Sequence, residues 1–146
     1  MTGSTKELDT QLVARLRLAV SRLARRLRQE AETGISPSML SALASIERLG
    51  PCTLGDLAAH EQVQPPTVTR VVARLHEEGL LDRIPDPVDR RIIRVQLSAA
   101  GKAFLQRVRT RKNEFLARRL RDLDASELQA IETAVTALEK LLADRS

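Results

Sequence analysis

The side chains best placed to do chemistry lie in Pro65-Pro66-Thr67-Val68-Thr69-Arg70-Val71-Val72-Ala73-Arg74-Leu75. At a helical period Val68, Val71, Val72 and Leu75 fall on one face, while Thr67, Thr69, Arg70 and Arg74 point elsewhere. Arginine forks onto the acceptors of a guanine edge, and threonine offers a hydroxyl to a base or a methyl to thymine. The pattern therefore suits a helix lying in a DNA major groove, and an ordinary amphipathic surface helix is the alternative. Other chemistry finds little to work with. His60 and His76 fall in separate predicted helices without a Cys/His cluster, so no metal ligand set is expected. No phosphate-cradling glycine loop or nucleophile motif occurs.

The neighbouring residues favour the DNA reading. Thr53 is a good N-cap, and Asp56 three residues on suits the positive end of a short helix through Glu61. Gln62-Val63-Gln64 is a brief connection, and Pro65 or Pro66 opens the next helix, where a missing N–H does no harm. Two short helices joined by a tight turn make a helix-turn-helix. Gly79 supplies a left-handed stop. Leu80–Ile84 and Ile92–Leu97 then read as strands flanking the charged turn Pro85-Asp86-Pro87-Val88-Asp89-Arg90-Arg91. The predicted fold is mainly α with a small β wing, a winged helix-turn-helix between long flanking helices. A wing tip can place an arginine in the minor groove, whose negative potential attracts it.

The remaining chain supplies the frame. Residues 1–7 are polar and predict disorder. Leu8, Leu12, Leu16, Ala19, Val20, Leu23 and Leu27 recur at three and four, which predicts one long helix to about Glu32 with an arginine-rich opposite face. Gly34 breaks it. Ser36-Pro37 starts a second helix, ended by Gly50-Pro51. Cys52 is expected as a short strand beside the wing, a small buried apolar residue. Ser98 caps a helix to Leu120 or Leu123, and Asp124-Ala125-Ser126-Glu127 resembles a capping box at the head of the last helix. The apolar stripes of the terminal helices exceed what a small winged domain can cover, which predicts a two-fold dimer. The expected organisation is a helical dimerisation region, 1–35 and 98–146, around a DNA-binding region, 36–97.

Charge sharpens this. Of 146 residues, 24 are Lys or Arg and 19 Asp or Glu, a net charge of +5. Residues 51–97 carry 6 basic and 7 acidic groups, so a polyanion partner must be met by where individual arginines point. A lone cysteine excludes an intrachain disulfide and suits a reducing cytoplasm. No apolar run approaches a membrane span. With only Phe104 and Phe115 as aromatics, a stacking platform for single strands is not expected.

Several pieces together resemble the MarR family (multiple antibiotic resistance regulators). They are Thr-Leu-Gly-Asp-Leu-Ala at 53–58, Thr-Val-Thr-Arg-Val-Val-Ala-Arg-Leu at 67–75, Glu-Glu-Gly-Leu-Leu at 77–81, Asp-Pro-Val-Asp-Arg-Arg at 86–91 and Val-Gln-Leu-Ser-Ala-Ala-Gly at 95–101. The resemblance implies a dimeric, sequence-specific transcription regulator of double-stranded DNA, a repressor on a palindromic operator, not an enzyme and without a cofactor. It also implies a pocket between the dimer helices and the DNA-binding lobe for a small amphipathic or phenolic ligand. Arg70 is the first candidate for a base contact, with Thr67 and Thr69 beside it; a phosphate contact or an internal ion pair is the alternative for Arg70. Arg74, Ser36 and Ser38 are candidates for phosphate. In the wing, Arg90 is the candidate for the minor groove, and Asp86, Asp89 and Arg91 for holding the hairpin by ion pairing. The rival readings are an architectural DNA-binding protein without an inducer and a protein-binding winged helix.

Overall fold

A computed structural model of the chain describes residues 7–143. The elements run α1 (Thr10–Ala31), α2 (Pro37–Leu49), α3 (Leu54–Glu61), α4 (Pro65–Glu77), β1 (Leu81–Pro85), β2 (Ile93–Leu97), α5 (Ala99–Leu120) and α6 (Ala125–Leu142). This is the mainly helical winged fold that the patterning predicts. The disorder predicted for residues 1–7 falls outside the described residues except at Glu7.

Local chemistry sets most boundaries. Ser36, Thr53, Ser98 and Asp124 each cap a helix by accepting a backbone N–H three residues on. At Thr53/Asp56 and Asp124/Glu127 the reciprocal bond is present too, which completes a capping box. Two starts and stops differ from the sequence reading. α1 begins at Thr10 because Asp9, not a residue before Leu8, caps it by accepting from Gln11 N–H at 2.9 Å. It ends at Ala31 because Glu32 already turns left-handed, with φ 42°, ahead of Gly34. Leu80 is also not yet strand. Its N–H donates to Leu75 O at 3.0 Å and that of Gly79 to His76 O at 3.0 Å, with Gly79 at φ 76°. This paired closure satisfies the last carbonyls of α4 and delays β1 to Leu81.

β1 and β2 pair antiparallel from Leu81↔Leu97 to Pro85↔Ile93. Cys52 joins the free side of β2, exchanging both backbone bonds with Val95 at 2.8 and 3.0 Å. The core forms where α2, α3, α4 and β2 meet: Leu43, Ile46, Leu57, Val72, Leu75 and Val95 are fully enclosed. The start of α5 packs on it through Leu105.

α5 also holds α1. Phe115 is buried, with Arg26 of α1 and Arg119 over its ring at 5.7 and 5.3 Å, distances suited to cation–π attraction. Arg111 Nη1 donates at 2.9 Å to Ala31 O, one of the unsatisfied carbonyls ending α1. The apolar stripes of α1 and α6 remain uncovered within one chain. Leu12, Val13, Val20 and Leu23 of α1 are exposed, and α6 has no buried residue at all.

Candidate nucleic-acid interface

α4 buries Val68, Val72 and Leu75 and turns Thr69, Arg70 and Arg74 to solvent. Its first two positions are both proline, so two of the N–H groups that normally serve an anion at a helix start are missing. The next N–H, of Thr67, bonds Gln64 O at 3.0 Å. Anion contact at this end must come from side chains. Thr69 Oγ1 donates to Pro65 O at 3.0 Å. That hydroxyl hydrogen is engaged within the helix, so Thr69 presents an acceptor and a methyl outward, not a donor.

The start of α2 lies alongside. Ser36, Ser38, Thr67, Arg70 and Arg74 line one open hollow of about 410 Å³, together with Gly34, Ile35, Met39, Val71 and Glu78. Five of the residues singled out from the sequence thus face a common space, although they come from two helices. Ser36 Oγ accepts from Met39 N–H at 3.2 Å as the helix cap, which leaves its own hydrogen to donate.

The wing is a loop from Asp86 to Ile92 closed by Asp86 N–H to Ile92 O at 2.8 Å. That bond takes Ile92 into the turn, so β2 begins one residue later than the sequence reading. Asp86 is buried at 8% exposure and organises the loop. Its Oδ1 accepts from the backbones of Val88 and Asp89 at 2.8 and 3.0 Å, and its Oδ2 from Arg94 Nε at 2.6 Å. The Asp89 backbone bond, then Arg94 and the Val88 backbone, hold this carboxyl down to about 2. Asp89 takes Arg91 in a fork, through Nε and Nη2 at 3.1 Å each, which lowers its carboxyl as well. Arg90 is exposed and makes no ion pair among the described residues.

Arg94 is the residue whose role the sequence did not reveal. It points inward, half-buried, and its Nη1 also lies 3.8 Å from Asp56 Oδ2 in the capping box of α3. It ties the wing to the helix-turn-helix. The sequence signal was an acid and a base at opposite ends of one hairpin, which sequence alone does not distinguish from two surface charges. Among the described residues no group of three or more His, Cys, Asp or Glu side chains could hold a metal. Among the described residues no helix is long and apolar enough to cross a membrane.

A three-helix core with an inward-tied hairpin, carrying arginines on the outward face of its second short helix, defines a winged-helix DNA-binding transcription regulator. The comparisons narrow this. Residues 35–93 match the MarR family model. A Mycobacterium bovis protein (strain ATCC BAA-935 / AF2122/97), the uncharacterized HTH-type transcriptional regulator Mb0904, is 40% identical over 127 residues, covering 86% of this chain and 89% of its own. MdtR of Bacillus subtilis (strain 168), named an HTH-type transcriptional repressor, is 27% identical over 81% of this chain and 79% of its own. A solved structure from Pseudomonas aeruginosa PA01 superposes with a TM-score of 0.83 at 34% identity, over 92% of this chain and 96% of that one. The chain belongs to the MarR family of transcriptional regulators. Its relatives and fold are those of regulators, not of enzymes.

Proposed function

We propose that the protein is a dimeric, ligand-responsive repressor that binds a palindromic operator in the cytoplasm. The observation that carries this reading is the shared hollow on α2 and α4, where two guanidiniums and three hydroxyls converge beside a wing that leaves Arg90 outward. Arg70 forks onto a base. Thr69 offers its methyl and acceptor. Thr67 reaches a base edge beside them, Ser36, Ser38 and Arg74 hold phosphate, and Arg90 enters the minor groove, while Asp86, Asp89 and Arg91 keep the hairpin in shape. Residues 1–35 and 98–146 form the dimerisation region and 36–97 the DNA-binding region. The uncovered stripes of α1 and α6 support this, because exposed apolar surface of that extent marks an association face. Two-fold pairing would set the two reading helices about 34–36 Å apart, one turn of DNA.

Repression is supported by MdtR, which carries the name repressor. For the effector, a second hollow of about 340 Å³ lies between α1 and α2, with Arg25 and Arg28 on one wall and Ile35, Pro37 and Leu40 on the other. That chemistry suits an amphipathic, phenolic or anionic molecule. The deciding experiment is footprinting on the DNA beside the gene. A protected inverted repeat with half-sites one turn apart supports the reading. A specificity ratio near one at physiological salt overturns it in favour of an architectural protein.

A further inference from the structure

A different cavity sits inside the helix-turn-helix itself. It measures about 300 Å³ and is bounded by the first turns of α2, the end of α3, the connection after it and the inner edge of α4. Most of its wall is apolar: Ala42, Leu57, Val63, Val68 and Val71 face it. Its size lies at the lower bound of small-molecule sites, and its composition, apolar with few convergent polar groups, is theirs.

Among its lining residues one side chain is ionisable, Glu61. Glu61 Oε1 accepts from Ser45 Oγ at 2.6 Å and from Ser41 Oγ at 3.1 Å, and Oε2 from Ser41 Oγ at 3.0 Å. These neutral donors fix the carboxylate in place and leave its charge uncompensated. No Lys, Arg or His forms an ion pair with it among the described residues. Glu61 is also the last residue of α3, where the helix presents its negative end. The helix end opposes a carboxylate there, and its hydrogen bonds to Ser41 and Ser45 tie α3 to α2, while a cation beside it would be favoured by both the carboxylate and the helix end. The cavity mouth is thus negative and its body apolar, the opposite of the arginine-lined hollow between α1 and α2.

We propose that this cavity binds a small organic cation with an apolar body, the charged head on Glu61 and the body against Leu57, Val63 and Val71. Thr67, Val68 and Val71 belong to α4, so an occupant wedges between α2 and the helix that carries Arg70. Occupancy changes DNA affinity to the extent that the cavity differs between free and DNA-bound forms. This consequence, unlike the binding, rests on the DNA reading above.

The test uses the full chain without DNA. It is titrated with benzylammonium, with benzyl alcohol as the neutral match and benzoate as the anion, and followed by amide chemical shifts. The expected result is saturable shifts at Leu57, Val63, Thr67 and Val71, with benzylammonium binding at least fivefold tighter than benzyl alcohol and benzoate weakest. The preference should shrink as salt rises. Glu61→Gln, checked for an unchanged fold by its amide spectrum, should abolish the preference while leaving benzyl alcohol binding as it was. Equal binding of the three probes to the wild-type chain overturns the proposal, as do shifts confined to α1 and α2, or a preference that survives in folded E61Q. A gel shift at saturating benzylammonium then reads the coupling. At least a threefold change in DNA affinity is expected, and none would refute the regulatory consequence while leaving the site intact.

Discussion

Gly101 offers the sharpest test of how the wing is anchored. It lies in the first turn of α5, and its N–H donates to Ser98 Oγ at 3.0 Å. A Cβ at this position would collide with Leu80 O and stand 3.1 Å from Leu80 C. The obstacle is backbone and cannot swing away. Leu80 O already accepts from Ser98 N–H at 3.1 Å, and Ser98 Oγ donates to Gly79 O at 2.7 Å, so the turn after α4 and the start of α5 are held face to face. Two effects of Gly101→Ala oppose each other. Alanine in a helix gains about 1 kcal/mol over glycine. Overpacking costs about 1–3 kcal/mol, here toward the upper end because the contact is with a pinned carbonyl. Losing the Ser98–Leu80 hydrogen bond costs about 1 kcal/mol more. The variant should therefore be destabilised by about 1–3 kcal/mol. Gly55→Ala is the control, since its Cβ would meet only Thr53 Oγ1 at an ordinary 3.8 Å and should be neutral or stabilising by up to about 1 kcal/mol. Urea unfolding followed by far-ultraviolet circular dichroism, at one fixed protein concentration, reads both. A G101A chain as stable as the wild type would refute the close approach.

Other expectations follow from the same geometry. Asp86 has its carboxyl held down to about 2 against an ordinary 3.8, so its contribution to stability is complete above about pH 5 and is lost as pH falls through 2. The gap in unfolding midpoint between wild type and Asp86→Asn should be constant from neutral pH to about pH 5, shrink to a small fraction at about pH 2 and close by about pH 1; a gap still at its neutral size at about pH 2 would show the effect is not electrostatic. Arg70→Ala should relax specificity at one operator position by about 1–3 kcal/mol, whereas Arg74→Ala should weaken all DNA alike and reduce the salt slope by about one, both read by fluorescence anisotropy over a salt series. Ile131→Glu with Val135→Glu, on the exposed stripe of α6, should shift the chain to monomer in sedimentation equilibrium and lower operator affinity with it. A double variant that stayed dimeric would place the interface elsewhere.

What could be read from the sequence was whatever is decided within a few residues. The caps at Ser36, Thr53, Ser98 and Asp124 are each a side chain reaching its own helix, and the stop at Gly79 is a backbone conformation, so residue type and spacing suffice. The boundaries that moved did so for equally local reasons that composition hides. Glu32 turns left-handed two residues ahead of Gly34, which is left-handed as well, and Leu80 completes the helix closure before it can join a strand. The motif Leu-Ser-x-x-Gly could be recognised, but its cause is that the Leu80 carbonyl leaves no room for a Cβ at Gly101, which belongs to the packed chain.

Partnerships across elements were out of reach, and in the wing they decide which charges are left outward. From the loop to the end of β2 the wing offers three arginines, at 90, 91 and 94, and two aspartates, at 86 and 89. Any pairing among them is consistent with the sequence. In the fold Asp86 takes Arg94, because the antiparallel register brings the ends of the loop together and Asp56 of α3 adds a second attraction from below. Asp89 takes Arg91 through a fork two residues long. Of the three arginines, Arg90 alone forms no ion pair among the described residues, so both loop aspartates are paired internally and one cation is presented at the tip. A region whose formal charge is −1 thereby still presents a positive point, because the charges of Asp86 and Asp89 are engaged in holding the wing in shape.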